Sequence, residues 1–329
     1  MLPLVDISGL DSDRREVRAE VAAALDGACV EAGFLYITGK QFRPPLFRQL
    51  RERAELYFRQ SSETKMASYI GLSENHSGYV PAGEEQFDGG GEDLKEAYDV
   101  NRDYRPLDGR RPLLGPTLWP ATTGFREDVL SYYEHLDAIG RQLFGAFAMA
   151  LGLAEDHFSP YLKNPPNQLR LIHYPQCAEA EDRPGIGAHS DYECFTLLFA
   201  TAPGLQVVDL QGQWVDVPLV EGAMIMNIGD MLEVLSNGRY IATRHRVRKV
   251  KEERYAFPLF FACDYDYVVE PVVEREAPRY APVRGGEHLY KQTLRTFAYL
   301  RRRAQAAQLN WNPAPGATVY GRREADSAR

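Results

Sequence analysis

Apolar positions fall into two regimes along the chain, with the change near Asn167. Upstream they recur at helical spacing. Val17, Val21, Leu25 and Ala28 share one stripe, the periodicity of an amphipathic helix. Asp13 with Glu16 three residues later predicts a capping box at its start, and Gly33 predicts its stop. The aromatic and branched run 34–38 predicts a strand. Two more helices are expected over 46–61 and 124–151, with a glycine-rich loop at 83–91 between them. Downstream, short apolar runs take over, at 169–174, 195–200, 205–210, 223–228 and 255–262. Pro203-Gly204, Gln211-Gly212 and Asn237-Gly238 punctuate them. Evenly spaced strands with such turns predict a double-sheet jelly roll. A last helix is expected over 287–307. The pattern describes one α+β domain. It has a mainly helical region over 1–166, a jelly-roll (double-stranded β-helix) core over 167–266, a C-terminal helix over 285–308 and a mobile tail over 310–329.

Composition narrows the class. A chain of 329 residues with 44% hydrophobic content can bury a sizeable core. The 46 acidic residues outnumber the 38 basic ones, giving a net charge of −8. That balance disfavours nucleic acid and anionic lipid as partners. The run Arg301-Arg302-Arg303 reads as a solvated helix face. No apolar run reaches the roughly 20 residues that span a bilayer, and the N-terminus lacks a signal-peptide pattern. The four cysteines, Cys29, Cys177, Cys194 and Cys263, show neither CxxC nor zinc-like spacing. Free thiols in a reducing cytoplasm are therefore expected. The expected partner is a small molecule rather than a membrane or a nucleic acid, with a monomer the favoured state.

The candidate chemistry lies in Gly187-Ala188-His189-Ser190-Asp191-Tyr192, with His245 well downstream and Arg254 just beyond it. Residues i and i+2 of a strand share a face, so His189 and Asp191 can reach one metal while Ser190 points away. Two histidines and one carboxylate make the facial triad that holds iron(II) with coordination positions left open. An arginine beyond the last ligand can hold the carboxylate of an oxo-acid as a bidentate pair. The tripeptide alone equally fits a surface or N-cap carboxylate beside a half-buried histidine.

The wider context is more specific. Asn227-Ile228-Gly229-Asp230 leads to Ser236-Asn237-Gly238 and on to Thr243-Arg244-His245-Arg246-Val247. Arg254-Tyr255-Ala256-Phe257-Pro258 follows, and Leu169-Arg170-Leu171-Ile172-His173-Tyr174-Pro175 precedes. With Leu2-Pro3-Leu4-Val5-Asp6-Ile7 and Glu31-Ala32-Gly33-Phe34 near the start, this order resembles the isopenicillin-N-synthase-like family of iron(II)/2-oxoglutarate-dependent oxygenases. The resemblance runs from about Leu2 to about Arg302. It implies that iron(II) is held by His189, Asp191 and His245, and that 2-oxoglutarate and O2 are co-substrates. It also implies that Arg254 anchors 2-oxoglutarate, that Tyr174 reaches the same carboxylate, and that Arg170 on the same strand face is a second pocket cation. The family's usual Arg-x-Ser is here Arg254-x-Ala256, so one hydroxyl is missing. The segments 77–85 and 95–99 are most similar to bacterial members of the ethylene-forming type. By that likeness Glu85, Tyr192 and Arg295 contact substrate. Phe87 and Tyr174 depart from that type. The expected activity is hydroxylation or another oxidation of a small polar metabolite, with 2-oxoglutarate decarboxylated to succinate. A 2-oxoglutarate-independent oxidase, or an ethylene-forming type of reaction, is the alternative that Ala256 keeps open. A non-catalytic jelly-roll binding protein is the third.

Overall fold

The structure, a computed structural model, describes residues 2–86, 95–103, 111–176, 185–209, 211–248, 252–273, 277–306 and 308–309. Phe87, the glycine run 89–91, Cys177 and the tail beyond 310 lie outside the described residues.

Helix α1 (Arg15–Ala32) buries Val21, Ala22, Leu25, Ala28 and Cys29. The capping box does not form. The helix is capped at Arg14, one residue past Asp13, so the Asp13–Glu16 spacing no longer bridges cap and first turn. Gly33 does stop the helix, in the left-handed region at φ 62°. A Cβ there would lie 2.3 Å from the Ile241 carbonyl oxygen, so only glycine fits. Helices α2 (Pro44–Phe58), α3 (Ser62–Met66) and α4 (Phe125–Ala150) complete the N-terminal helical layer. Among their buried side chains are Leu50, Tyr57, Tyr132, Leu143 and Phe147.

Strands β1 (Leu4–Asp6) and β2 (Phe34–Thr38) pair in parallel. They extend a sheet of eight with β3 (Gly78–Val80), β4 (Glu96–Asn101), β5 (Gln168–Tyr174), β7 (Phe195–Ala200), β10 (Met224–Ile228) and β12 (Arg254–Phe261). The order across it is β1-β2-β10-β7-β12-β5-β4-β3. A second sheet has the order β6-β11-β8-β9, from β6 (Ile186–His189), β8 (Leu205–Val208), β9 (Trp214–Asp216) and β11 (His245–Val247). The fold is a jelly roll flanked by helices.

Alternation along β5 and β12 divides the interior. Leu169, Leu171, Tyr255, Phe257 and Leu259 join the core under the helices. Ile172, Tyr174 and Ala256 join a second core shared with Ile186, Leu205, Val207 and Val247 of the smaller sheet. The β5–β12 ladder skips Arg170 and Leu171 on β5 and Phe257 and Pro258 on β12, between the pairs Ala256–Ile172 and Leu259–Leu169. Pro258 has no N–H to give at that rung.

Helix α5 (Asp230–Leu235) follows β10, and a short hairpin, β13 (Val268–Val269) with β14 (Val283–Arg284), precedes the C-terminal helices. The single helix expected over 287–307 is two, α6 (Gly285–Thr296) and α7 (Ala298–Gln305). Phe297 between them is extended (φ −95°, ψ 124°). The break has a partner: Gln86 N–H donates to Thr296, Ala298 N–H donates to Glu84, and Glu85 bridges Phe297. The 84–86 segment is thus tied, strand-fashion, to the joint between the two helices.

Candidate active site

His189 ends β6, and His245 opens β11 directly opposite it in the antiparallel register. Their rings lie 4.4 Å apart between centroids. Asp191 falls just past the end of β6 instead of on it. The turn still brings its Oδ1 to 3.7 Å from His189 Nε2 and 3.4 Å from His245 Nε2. One candidate ligand atom from each of the three lies within 4.8 Å of the other two. Ser190 points the other way, as expected, and donates to Asp230 at 2.9 Å.

The surroundings fix each group for metal binding. His189 Nδ1 lies 2.8 Å from the Gly187 carbonyl, and His245 Nδ1 lies 3.2 Å from that of Thr243. Each carbonyl holds a proton on Nδ1 and leaves the Nε2 lone pair facing the centre. Burial, helped by His245, pulls His189 down to about 4, so its ring is neutral near pH 7. Burial alone would push Asp191 up, but His245 and His189 hold it well below the usual carboxylate range. Burial lowers His245 too, yet Asp191 outweighs it and raises the net value. A neutral imidazole and an ionised carboxylate are the states a metal requires. A divalent cation held by His189, Asp191 and His245 would balance the Asp191 charge. The donor set fits iron(II), an ion suited to imidazole and carboxylate together.

Two partners of Asp191 had no assigned role in the sequence. Asn227 donates to Oδ2 at 2.7 Å, and so does the Thr196 hydroxyl. Asn227 stood in a recognised motif, but nothing in the sequence told which side chain it would touch.

The triad lines one cavity with Arg254, Tyr174, Arg170 and Ala256. Arg254 is 1% exposed. Its Nε donates to the Ala202 carbonyl at 3.0 Å, while Nη1 is buried with no hydrogen-bond partner. The guanidinium lies 4.7 Å over the Tyr174 ring. Burial pulls its pKa down, opposed by Tyr174. An orphaned guanidinium N–H in the cavity that holds the triad fits the distal carboxylate of an oxo-diacid. Ala256 lines the cavity without a hydroxyl.

Arg170 does share the cavity face with Tyr174, but its charge is already engaged. Nε donates to Asp99 at 2.7 Å and Nη1 to Glu85 at 2.9 Å, while Nη2 has no partner. Glu85 is expected, by the ethylene-forming likeness, to contact substrate. It is buried and paired with both Arg170 and Lys95. Tyr192 is half-buried beside Asp191, its ring 6.3 Å from that of His288. Arg295 sits exposed in the last turn of α6, and the cavity lining does not include it. Lys95 and Asp99 complete this charged group. Both fall in the 95–99 segment, where local pattern does not reveal their pairing.

Comparison with known proteins agrees with this geometry. Residues 165–262 match the 2OG-Fe(II) oxygenase superfamily, and residues 2–122 match the N-terminal region of the non-haem dioxygenases in morphine synthesis. The chain is 31% identical to a 2-oxoglutarate-Fe(II) type oxidoreductase, hxnY, of Emericella nidulans, over 96% of this chain and 97% of that one. It is 32% identical to a homoarginine-6-hydroxylase of Oryza sativa, over 90% and 97%. Among solved structures, a full-length Neurospora crassa protein in complex with alpha-KG superposes with a TM-score of 0.79 at 24% identity, over 88% of this chain and 95% of that one, a likeness that bears on the fold alone. No helix among the described residues is long and apolar enough to cross a membrane. A relative this similar over nearly the whole chain, joined to a His-Asp-His centre inside a jelly roll, places the protein in the 2OG-Fe(II) oxygenase superfamily: it is a dioxygenase that uses iron(II), 2-oxoglutarate and O2.

Proposed function

We propose that His189, Asp191 and His245 hold the iron and that Arg254, with Tyr174, holds the distal carboxylate of 2-oxoglutarate, for the oxidation of a small, soluble, polar metabolite. Bound iron(II) couples decarboxylation of 2-oxoglutarate, to succinate and CO2, with substrate oxidation by O2. The protein's part is position and dryness. Asp191 offers Oδ1 while Asn227 and Thr196 retain Oδ2. The cavity wall is otherwise largely apolar, with Phe34, Ile172, Ile186, Leu198, Leu205 and Val247. Such a wall keeps bulk water from the reacting centre and strengthens each polar contact inside.

On the substrate side, Tyr192 flanks the metal turn, and the joint of α6 and α7 ties down the segment that carries Glu85. Arg295, exposed on α6 and outside the cavity lining, keeps the substrate contact that the likeness to the ethylene-forming type assigns it. The Oryza sativa relative, named for hydroxylating homoarginine, is in keeping with a small polar substrate. The reading includes a monomer in the cytoplasm, in keeping with free thiols at Cys29, Cys194 and Cys263.

The observation that carries this reading is the orphaned Arg254 Nη1 in the cavity that also holds the triad. Its test is the 2-oxoglutarate dependence of succinate formation. Arg254→Ala removes a charge-assisted pair from a buried site, which costs about 2–5 kcal/mol of co-substrate binding. Ala256→Ser restores the family's hydroxyl and leaves binding equal or slightly tighter. An unchanged requirement in Arg254→Ala moves the anchor to Arg170.

A further inference from the structure

Beside the metal cavity lies a buried group of four charges that co-substrate binding leaves unused. Glu85, Lys95, Asp99 and Arg170 are all buried, Asp99 completely. Lys95 donates to Glu85 Oε2, and Arg170 bonds Glu85 Oε1 through Nη1 and Asp99 Oδ1 through Nε. Two cations cancel two carboxylates. Burial alone would raise Glu85, but Arg170 and Lys95 hold it well below the usual carboxylate range. The backbone makes the arrangement rigid. Asp99 and Arg170 face each other in the β4–β5 register, and Glu85 is bridged to Phe297.

The group borders the reaction centre. Arg170 lines the cavity with the triad. Arg170 Nη2 is buried without a hydrogen-bond partner, as is Asp99 Oδ2 in the same cluster, but only Arg170 of the two lines the cavity. The side chains lining the cavity include two guanidinium groups, Arg170 and Arg254, and one acid, Asp191. With Arg254 assigned to 2-oxoglutarate and Asp191 to the metal, the lining offers a substrate a donor and, among the described residues, no free carboxylate.

We propose that Lys95 sets the charge class of the substrate: by occupying Glu85 it withholds a carboxylate that borders the cavity through Arg170, so the substrate meets Arg170 Nη2 with an acceptor oxygen. The substrate class is a small molecule that presents a carboxylate, carbonyl or ureido oxygen at this point. A guanidinium or ammonium directed here would have to displace Lys95 and leave a buried cation unpaired, the situation a built polar site rejects most strongly. Lys95 is a specificity-determining residue, one that touches Glu85 and not the reacting atoms. This inference rests on the reading of Arg254 as the co-substrate anchor.

The test uses the full chain loaded with nickel(II) and 2-oxoglutarate, which binds without turnover. Arginine and citrulline serve as probes, since they share a shape and differ by a guanidinium against a ureido group. Dissociation constants are measured for the wild type, Lys95→Met and the double variant Glu85→Gln/Lys95→Met. The wild type is expected to prefer citrulline by about tenfold or more. Lys95→Met should swing that ratio toward arginine by at least about tenfold, and the double variant should lose the swing. A wild type that prefers arginine overturns the proposal. So does an unchanged ratio in Lys95→Met, or failure of every protein to bind either probe, because a released Glu85 must draw a cation. If Lys95→Met does not fold, Glu85→Gln decides: it frees Lys95 and must leave arginine disfavoured, and a gain in arginine binding overturns the proposal. Binding of 2-oxoglutarate is recorded first in each titration. Its absence from the wild type counts against the Arg254 reading, whereas a 2-oxoglutarate-loaded protein with an unmoved ratio counts against Lys95 alone.

Discussion

Asp191 divides its two oxygens between tasks. Oδ1 faces the two imidazoles, and Oδ2 accepts from Asn227 at 2.7 Å and from the Thr196 hydroxyl. Both donors sit on strands, Asn227 on β10 and Thr196 on β7, which are hydrogen-bonded neighbours with these two residues directly opposite. The carboxylate is therefore clamped by a cross-strand pair and cannot rotate to present Oδ2. Asn227→Ala removes one jaw of the clamp while the strand remains. Partners of metal ligands typically contribute 10- to 100-fold in metal affinity, and a loss in that range is expected here. Competition titration with a metal indicator reads it, and circular dichroism should report an unchanged fold. Wild-type affinity in Asn227→Ala would mean that Thr196 alone orients the ligand.

At the scale of elements, the metal turn 190–194 is seated on the start of α5. Asp230 N–H donates to Asp191 at 2.8 Å, Met231 N–H to Glu193 at 3.0 Å, and Gly229 N–H to Cys194 at 2.9 Å. The backbones approach so closely that a Cβ on Gly229 would lie 2.3 Å from the Glu193 carbonyl oxygen. The φ of Gly229, −107°, suits any residue, so contact and not conformation demands glycine. Gly229→Ala must push the turn away from α5. The expected result is loss of metal retention with a melting temperature lowered by several degrees, in keeping with overpacking costs of about 1–3 kcal/mol. Full metal content in that variant would show that the turn tolerates the shift. These contacts also explain what the sequence could and could not tell. The triad was legible because its spacing and its neighbours form an ordered set of motifs. Strand β4 is not legible in the sequence, because Glu96 and Asp99 interrupt its apolar run; in the fold Glu96 is half-buried and Asp99 buried, ion-paired with Lys65 and Arg170. The joint at Phe297 was read as continuous helix, because only the partner segment 84–86 makes an extended residue favourable there. Burial of charge and pairing with distant segments are properties of the folded chain that local pattern does not carry.

For the whole molecule, the same buried charges set the response to acid. His76 is 6% exposed, with Nδ1 2.8 Å from the Tyr299 hydroxyl and Phe297 edge-on at 4.3 Å. Burial, aided by Arg170 and opposed by Glu85, lowers it from 6.5 to about 3. Its Nε2 also lies 3.9 Å from Asp99 Oδ2. In the unfolded chain His76 takes a proton below about pH 6.5; in the folded chain it does so only near pH 3. The unfolded state thus binds more protons across that window, and the stability contributed by a neutral His76 is present above pH 6.5 and lost as pH falls. The slope for one such group is about 1.4 kcal/mol per pH unit. Asp99 acts in the opposite sense. Burial and Glu85, against the pull of Arg170, raise it from 3.8 to about 6, so the folded state gains protons first and is favoured as pH falls between those values. Between about pH 6 and 4 the two largely offset each other, and the wild-type curve should be flatter than either group alone would make it. His76→Gln keeps a polar contact to Tyr299 and removes the histidine titration. Urea unfolding of the metal-free proteins from about pH 7.5 to about 4.5 then separates the two effects. The variant should lose less stability than the wild type as pH falls, with the difference growing by about 1.4 kcal/mol per unit below about pH 6.5. Parallel curves for the two proteins would mean that His76 is protonated in the fold, paired with Asp99 across their 3.9 Å gap.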